Sequence, residues 1–529
     1  MKTIRNCKIN RICYKLYSKY RKNVISLVTA AVLLVTSMPL ADVSNVVSKM
    51  VSTLTNTITA MAADAETAAA SEYVQSNTQN GQYTVSNAKD LQMLFKADAA
   101  VYADKTIMFA KIGGNFSAED LEGITSGLGS ETAPFKGKLT ASMGSAITLP
   151  IGFALFNYLA DSAVIDQTVT IQRSESSDTA LFAENVIHTE GNDTPQNWSI
   201  TEVSYENEGS AKYSFTSVIG EMKDGSIANL TIQCEENAVV SKTSGNTGLA
   251  CGTMGKNAQL TVSPETANFT VKATMTAGSN VGSLVGEMSR GAKLTIDKDY
   301  SFTGTVTGQN AGGIVGKATD SEINIAVGKK VSISGKFVTT QSNTGGAGGV
   351  YGEYNNYANE ITFDFSQYDL TPDFTNTSTA TNFRVGGAFG RINNFKGKIN
   401  ITNSNENGVI GVKLDSSKKP LNVGGVVGAY YPQDKTDTEL YIYHIKTTLK
   451  ISYGNISILG GLIGNATNEN NYKAYINVQN VEVNLSQQRA TRSGGLFGAV
   501  KSAFVDIGGN VTIKSEYVTH VKGLSLIHI

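Results

Sequence analysis

Few residues in this 529-residue chain are of a type and spacing that could do chemistry. Carboxylates come first. Glycan cleavage needs paired Asp or Glu side chains beside the scissile bond, often with a bound calcium or a basic residue. Asp297, Asp299, Asp320 and Asp364 are the candidates, but they fall at unrelated offsets from the chain's repeating features. Solvated turn carboxylates are the simpler reading. His188, His444 and His520 stand apart and read as incidental. No His-Glu-x-x-His zinc pair and no Gly-x-Ser-x-Gly nucleophile elbow is present. Beyond the basic N-terminal segment only Cys234 and Cys251 remain, too few for a disulfide framework or a four-ligand zinc site. Cys234 continues the alternating series Leu230, Ile232, which suggests a buried small side chain, with a Cys234–Cys251 bridge as the alternative. No cofactor and no metal is expected.

Tyrosines carry the one binding hypothesis. Tyr351, Tyr354 and Tyr357 lie close together, and Tyr430, Tyr431, Tyr441, Tyr443 and Tyr453 follow. Aromatic faces stack on sugars and anchor protein contacts. Tyr354 and Tyr430 occupy an inward column defined below and read as packing residues. Tyr441 and Tyr443 alternate with Leu440 and Ile442, so an outward aromatic strip is expected there, a candidate surface for ligand stacking.

The elements that position these residues are set by a recurring glycine-apolar-glycine unit, such as Gly312-Gly313-Ile314-Val315-Gly316. The last glycine of each copy is Gly220, Gly252, Gly286, Gly316, Gly352, Gly390, Gly428, Gly464 and Gly498, at gaps of 30 to 38 residues. Self-similarity at such a period marks a solenoid. Between copies run short alternating segments, for example Glu322 to Val327 and Val331 to Val338, with no helix-length apolar stripe. About three strands per period cannot bury themselves alone. They can if each period is one turn of a coil whose strands stack in parallel on the next turn.

The expected fold is therefore all-β: a right-handed parallel β-helix of about ten coils, with a small α/β N-terminal cap. Residues two before each anchor glycine (Val218 through Leu496) and two after it (Met222 through Val500) are mainly apolar and should point inward. The residue immediately after, Glu221, Thr253, Glu287, Lys317, Glu353, Arg391 or Asn465, should face water. The glycines themselves fit tight backbone approach between coils. A phosphate-cradling loop is disfavoured, because no Gly-Lys-Ser/Thr unit or strand-loop-helix context accompanies any copy.

Residues 1–23 carry eight Lys or Arg and no acid, followed by a mostly apolar stretch from Val24 to Val35. That reads as a secretory signal helix over 1–41, with cleavage possible as late as 62. The apolar run is shorter than the ~20 residues of a membrane span, so no span is expected in the mature chain. Residues 42–72 read as a linker and 73–136 as the α/β cap, with Asn87 capping a helix that buries Leu91, Leu94 and Phe95. Residues 137–523 are the repeats. Residues 524–529 read as a truncated or non-native end, lacking a Leu-Pro-x-Thr-Gly-like sorting signal. A net charge of -1 gives no field favouring nucleic acid.

Gly-Gly-Ile-Val-Gly, Gly-Gly-Val-Val-Gly, Gly-Gly-Leu-Ile-Gly and Gly-Gly-Leu-Phe-Gly resemble the GLUG motif of large bacterial surface proteins, which include adhesin-like proteins and the N-terminal regions of some immunoglobulin-cleaving metallopeptidases. The resemblance covers about residues 135 to 520. It implies a pectin-lyase-like β-helix at a cell surface, and no reaction. The long basic n-region likewise resembles signals of Gram-positive surface proteins. The functional expectation is a secreted or cell-surface adhesin or stalk, monomeric or part of a longer chain, that binds glycans or host or neighbouring-cell proteins. The alternatives are a β-helix polysaccharide lyase or hydrolase, or the non-catalytic front of a larger surface metallopeptidase.

Overall fold

The computed structural model describes residues 43–110, 116–142, 147–173, 176–204, 213–234, 238–264, 268–271, 274–340, 345–374, 383–404, 409–415, 422–433, 438–453, 456–467, 474–487, 490–501 and 503–516. The expected signal helix, the 524–529 end and His520 lie outside them.

The stretch expected as a linker is helical. Helix α1 spans Val43–Asn77. It contains neither Gly nor Pro, and its second half is rich in alanine, the residue of highest helix propensity. Ala70 and Val74 are buried near its end. The Tyr73 hydroxyl donates to Asp90 Oδ1 at 2.7 Å, and Lys96 pairs with Glu66 at 2.7 Å. These contacts dock α1 on the next helix.

The cap follows. Strand β1 is Gln82–Val85, and helix α2 is Ala88–Lys96. Asn87 caps α2 by accepting from the Asp90 amide, and Leu91, Leu94 and Phe95 are buried. Strands β2 (Thr106–Phe109) and β3 (Lys138–Ala141) continue β1 in parallel register, Gln82 opposite Thr106 and Thr106 opposite Lys138. The cap thus stacks in the same direction as the coils behind it.

The remainder is a parallel β-solenoid of about ten turns. An eleven-stranded sheet runs its length and carries all nine anchor glycines. One turn shows the plan. Strand β4 is Asn310–Gly312, β5 Val315–Thr319, β6 Glu322–Ile325, β7 Val331–Ile333 and β8 Lys336–Thr339. The turn therefore holds five short strands where the alternation suggested three. The apolar run is cut by a bend at Gly313-Ile314, and the Val331–Val338 run by a break between strands at Ser334-Gly335. A hydropathy pattern registers neither interruption.

The side-chain columns follow the pleat. All nine residues two before the anchors are buried, and of those two after, only Val500 is half-buried. Tyr354 and Tyr430 are fully buried. The column one after the anchor departs from expectation. It is half-buried and pairs along the axis: Lys317 with Glu287 at 3.4 Å, and Arg391 with Glu353 at 2.6 Å. Glu353 is buried. Stacked coils bring these residues within one strand spacing, about 4.8 Å, so neighbours screen each other from water.

An asparagine ladder lies inside the first corner. Asn280 donates its amide to Asn246 at 2.9 Å, and Asn310 donates to Asn280 at 2.8 Å. Gly346 N donates to Asn310 Oδ1 at 3.3 Å. Each side chain thereby satisfies its neighbour in a region closed to water.

Candidate functional site

The stacking is interrupted between two neighbouring turns, and a cavity opens there. The following turn begins with β9 (Gly346–Gly348), β10 (Tyr351–Asn356), β11 (Glu360–Asp364) and β12 (Tyr368–Leu370). Strands β5 and β10 pair through Thr319–Asn355, and β7 pairs with β12. Between those clamps β6 and β11 do not pair among the described residues. The seven-stranded sheet to which β6 belongs ends there, and β11 starts a separate run. The cause is a change of spacing. Glu322 stands six residues beyond Gly316, whereas Glu360 stands eight beyond Gly352. The two extra residues lengthen β10 and displace β11 from the ladder.

The coils part into a cavity of about 320 Å³. Its walls include Tyr351, Phe363, Phe365 and Tyr368, and its rim carries Asp320, Glu322, Glu360 and Asp364. Asp320 and Asp364, which sequence offsets scattered, are thus brought together, while Asp297 and Asp299 are not part of this cavity. The rim acids are largely committed. Asp320 accepts from the Tyr357 and Ala358 amides at 2.5 and 3.1 Å and from Arg290 Nε at 2.9 Å. Asp364 accepts from the Ser366 and Ser404 amides and the Ser404 hydroxyl. Burial alone would raise the Asp364 carboxyl, but those hydrogen bonds outweigh it and hold it below the usual carboxylate range. Hydrogen bonds from Asn400 and Lys398 lower Glu360 as well. A general acid for glycan cleavage needs the opposite shift.

Strand β11 opens a run completed by β13 (Gly397–Thr402), β14 (Thr438–Tyr443), β15 (Ala474–Gln487) and β16 (Ala503–Glu516). Their register places Thr362, Asn400, Tyr441, Asn477 and Asp506 in one outward column. Glu439, Tyr475 and Phe504 form the column beside it. Tyr441 and Tyr443 lie on this face, half-buried, with rings 5.5 Å apart. Lys398 Nζ sits 4.4 Å from the Tyr441 ring, covering one face of it, and also reaches Glu360 at 3.3 Å. Tyr475 and Phe504 stack at 5.3 Å and are exposed, Phe504 by 59%. These two were not singled out in the sequence. Their signal was available, since Tyr475 stands two before Asn477 in the same alternation.

The isolated residues resolve differently. His188 Nδ1 lies 2.9 Å from Asp161 Oδ2, so it is not without a partner. Asp161 is fully buried and also accepts from the Thr189 and Ile227 amides and from Asn192, which makes it a bracket between turns. His444 occupies a left-handed turn at φ 54°. No disulfide joins Cys234 and Cys251. Cys251 is buried, and burial pushes its thiol up to about 12, whereas Cys234 is only partly buried. Every anchor glycine lies on the eleven-stranded sheet with backbone of a neighbouring strand against its Cα, and none faces the cavity. No group of three or more His, Cys, Asp or Glu that could hold a metal occurs among the described residues, and no described helix is long and apolar enough to cross a membrane. No protein-family model, no curated protein and no solved structure matches the chain.

Proposed function

We propose that this chain is a secreted, surface-associated solenoid of the GLUG-repeat class that binds glycans along the outward face of β13 to β16. The observation that carries this reading is the aromatic platform of half-buried Tyr443 with exposed Tyr475 and Phe504, set beside the amides of Asn400 and Asn477. Flat apolar faces flanked by hydrogen-bonding groups suit the alternating C–H and O–H surface of a sugar chain. A rigid stack of strands fixes their spacing, so little ordering entropy opposes binding. The basic, acid-free N-terminal segment followed by a short apolar run supports export.

Purified full-length chain, applied to a glycan array, should retain a set of oligosaccharides. Replacing Tyr475 and Phe504 together by alanine should weaken the retained interaction about fivefold to thirtyfold, the loss of about 1–2 kcal/mol expected when central aromatic contacts are truncated. Retention unchanged in that double variant would overturn the platform reading. Glycan cleavage is the competing reading, drawn from the four carboxylates around one cavity. It predicts reducing ends or unsaturated products released from a bound polysaccharide. Full occupation of both Asp320 and Asp364 oxygens by protein donors counts against it.

A further inference from the structure

The cavity between β6 and β11 contains a feature that its packing does not use. Tyr351 lines it and is 2% exposed, yet its hydroxyl makes no hydrogen bond to any described residue. Tyr368, half-buried on the same wall, makes none either. Both phenols are raised above their ordinary value, chiefly by burial, with Tyr368, Tyr354 and Glu322 adding to the effect on Tyr351 and Asp364 to that on Tyr368. They are therefore neutral hydroxyls with donor and acceptor capacity to offer. Neither hydroxyl is sealed off from the cavity space, so both can pair with an occupant that brings hydroxyl groups of its own.

The walls define that occupant. Phe363 packs edge-on to Tyr351 at 5.7 Å and offers an apolar surface. The carboxylates of Glu360 and Asp364, held ionised at the rim, repel anions. The volume of about 320 Å³ is at the small end of ligand pockets, roughly 300–1,000 Å³. A ligand must then be small, uncharged or cationic, rich in hydroxyl groups, and apolar on one face. We infer that the cavity between β6 and β11 is a pocket for a single neutral or amino sugar residue, held by the Tyr351 and Tyr368 hydroxyls against the Phe363 ring and by the Glu360 carboxylate. This rests on the glycan reading above. It adds that the sugar chain on the β13–β16 face ends in this pocket, since β11 is the neighbouring strand of β13 and Lys398 bridges the two regions. It also excludes polyuronates, whose carboxylates would meet the acidic rim.

The test titrates full-length protein with glucose, galactose, N-acetylglucosamine and galacturonate, by saturation-transfer NMR and calorimetry. At least one neutral or amino hexose should bind at millimolar strength, and galacturonate at least tenfold more weakly. Tyr351→Phe and Tyr368→Phe remove only the hydroxyls. Each should weaken hexose binding fivefold or more with an unchanged circular dichroism spectrum. Absence of hexose binding, equal binding of galacturonate, or wild-type affinity in both phenylalanine variants would overturn the pocket. If oligosaccharides then still bound and the Tyr475/Phe504 variant abolished it, the surface reading would stand without the pocket. If hexose binding needed Tyr351 but oligosaccharide binding ignored Tyr475 and Phe504, the pocket would stand and the surface reading fall.

Discussion

Replacing Gly390 by alanine tests the claim that these glycines exist to let backbones touch. Gly390 lies on the eleven-stranded sheet, where the next corner folds an adjoining strand against it. A Cβ built there would stand 2.4 Å from Ala347 N, 2.6 Å from the Gly346 carbonyl carbon and 2.6 Å from Gly352 O. Favourable contact begins near 3.5 Å, so about 1 Å of movement is demanded of three backbone atoms at once. None belongs to a flexible side chain, and each is tied into a ladder. Overpacking of this kind costs about 1–3 kcal/mol where side chains can give way, and rigid backbone places this site at about 3 kcal/mol. Gly508 provides the control. It also lies in a strand, but its Cβ would meet only the Gln479 side chain, at 3.6 Å or beyond. Alanine there should be neutral or stabilising by about 0.5–1 kcal/mol, because glycine in a strand carries an entropic penalty. Because a solenoid's turns contact only their neighbours, the loss at Gly390 should be local. Urea titration gives the total, and hydrogen exchange should show deprotection concentrated in the turns around residues 346–430. A Gly390→Ala variant within 0.5 kcal/mol of the Gly508→Ala variant would refute the reasoning.

Other outcomes follow from the same structure. Asn310→Ala leaves Asn280 Oδ1 without its donor and Gly346 N without its acceptor in a closed corner; destabilisation of about 2–3 kcal/mol by urea titration is expected, and a loss below 0.5 kcal/mol would remove the ladder from the stability account. The Asp364 carboxyl is held below its ordinary 3.8, so its contribution is present above that pH and disappears as pH falls through the lowered value. Acid titration from pH 5 to 2 should therefore show a stability loss that Asp364→Asn reduces; an identical pH profile in the variant would contradict this. Cys251, with its thiol pushed up to about 12, should resist alkylation at pH 8 until the chain is unfolded, while partly exposed Cys234 reacts first, as peptide mass spectrometry would show. Equal labelling of the two in the native state would place Cys251 wrongly.

The amino-acid sequence by itself determined the solenoid. Nine glycines at a near-constant interval, apolar residues two before and two after each, and strand-length alternation between them are legible because every turn repeats the same burial requirement. The Asn87 cap was legible for a similar reason, since its chemistry is confined to three neighbouring residues. The asparagine ladder could have been found, as Asn246, Asn280, Asn310 and Asn422 all stand six residues before an anchor glycine. The helical 43–77 segment was missed because small polar residues mask its propensity. The cavity belongs to the tertiary structure alone. Residues from Asp320 to Glu322 and from Tyr351 to Tyr368 meet across two turns only because an insertion of two residues after Gly352 pulls one strand from its ladder while both corners stay clamped. A periodic pattern states what all turns share. The site arises where one turn ceases to match its neighbour, and which side chains that mismatch exposes is decided by how the coils stack.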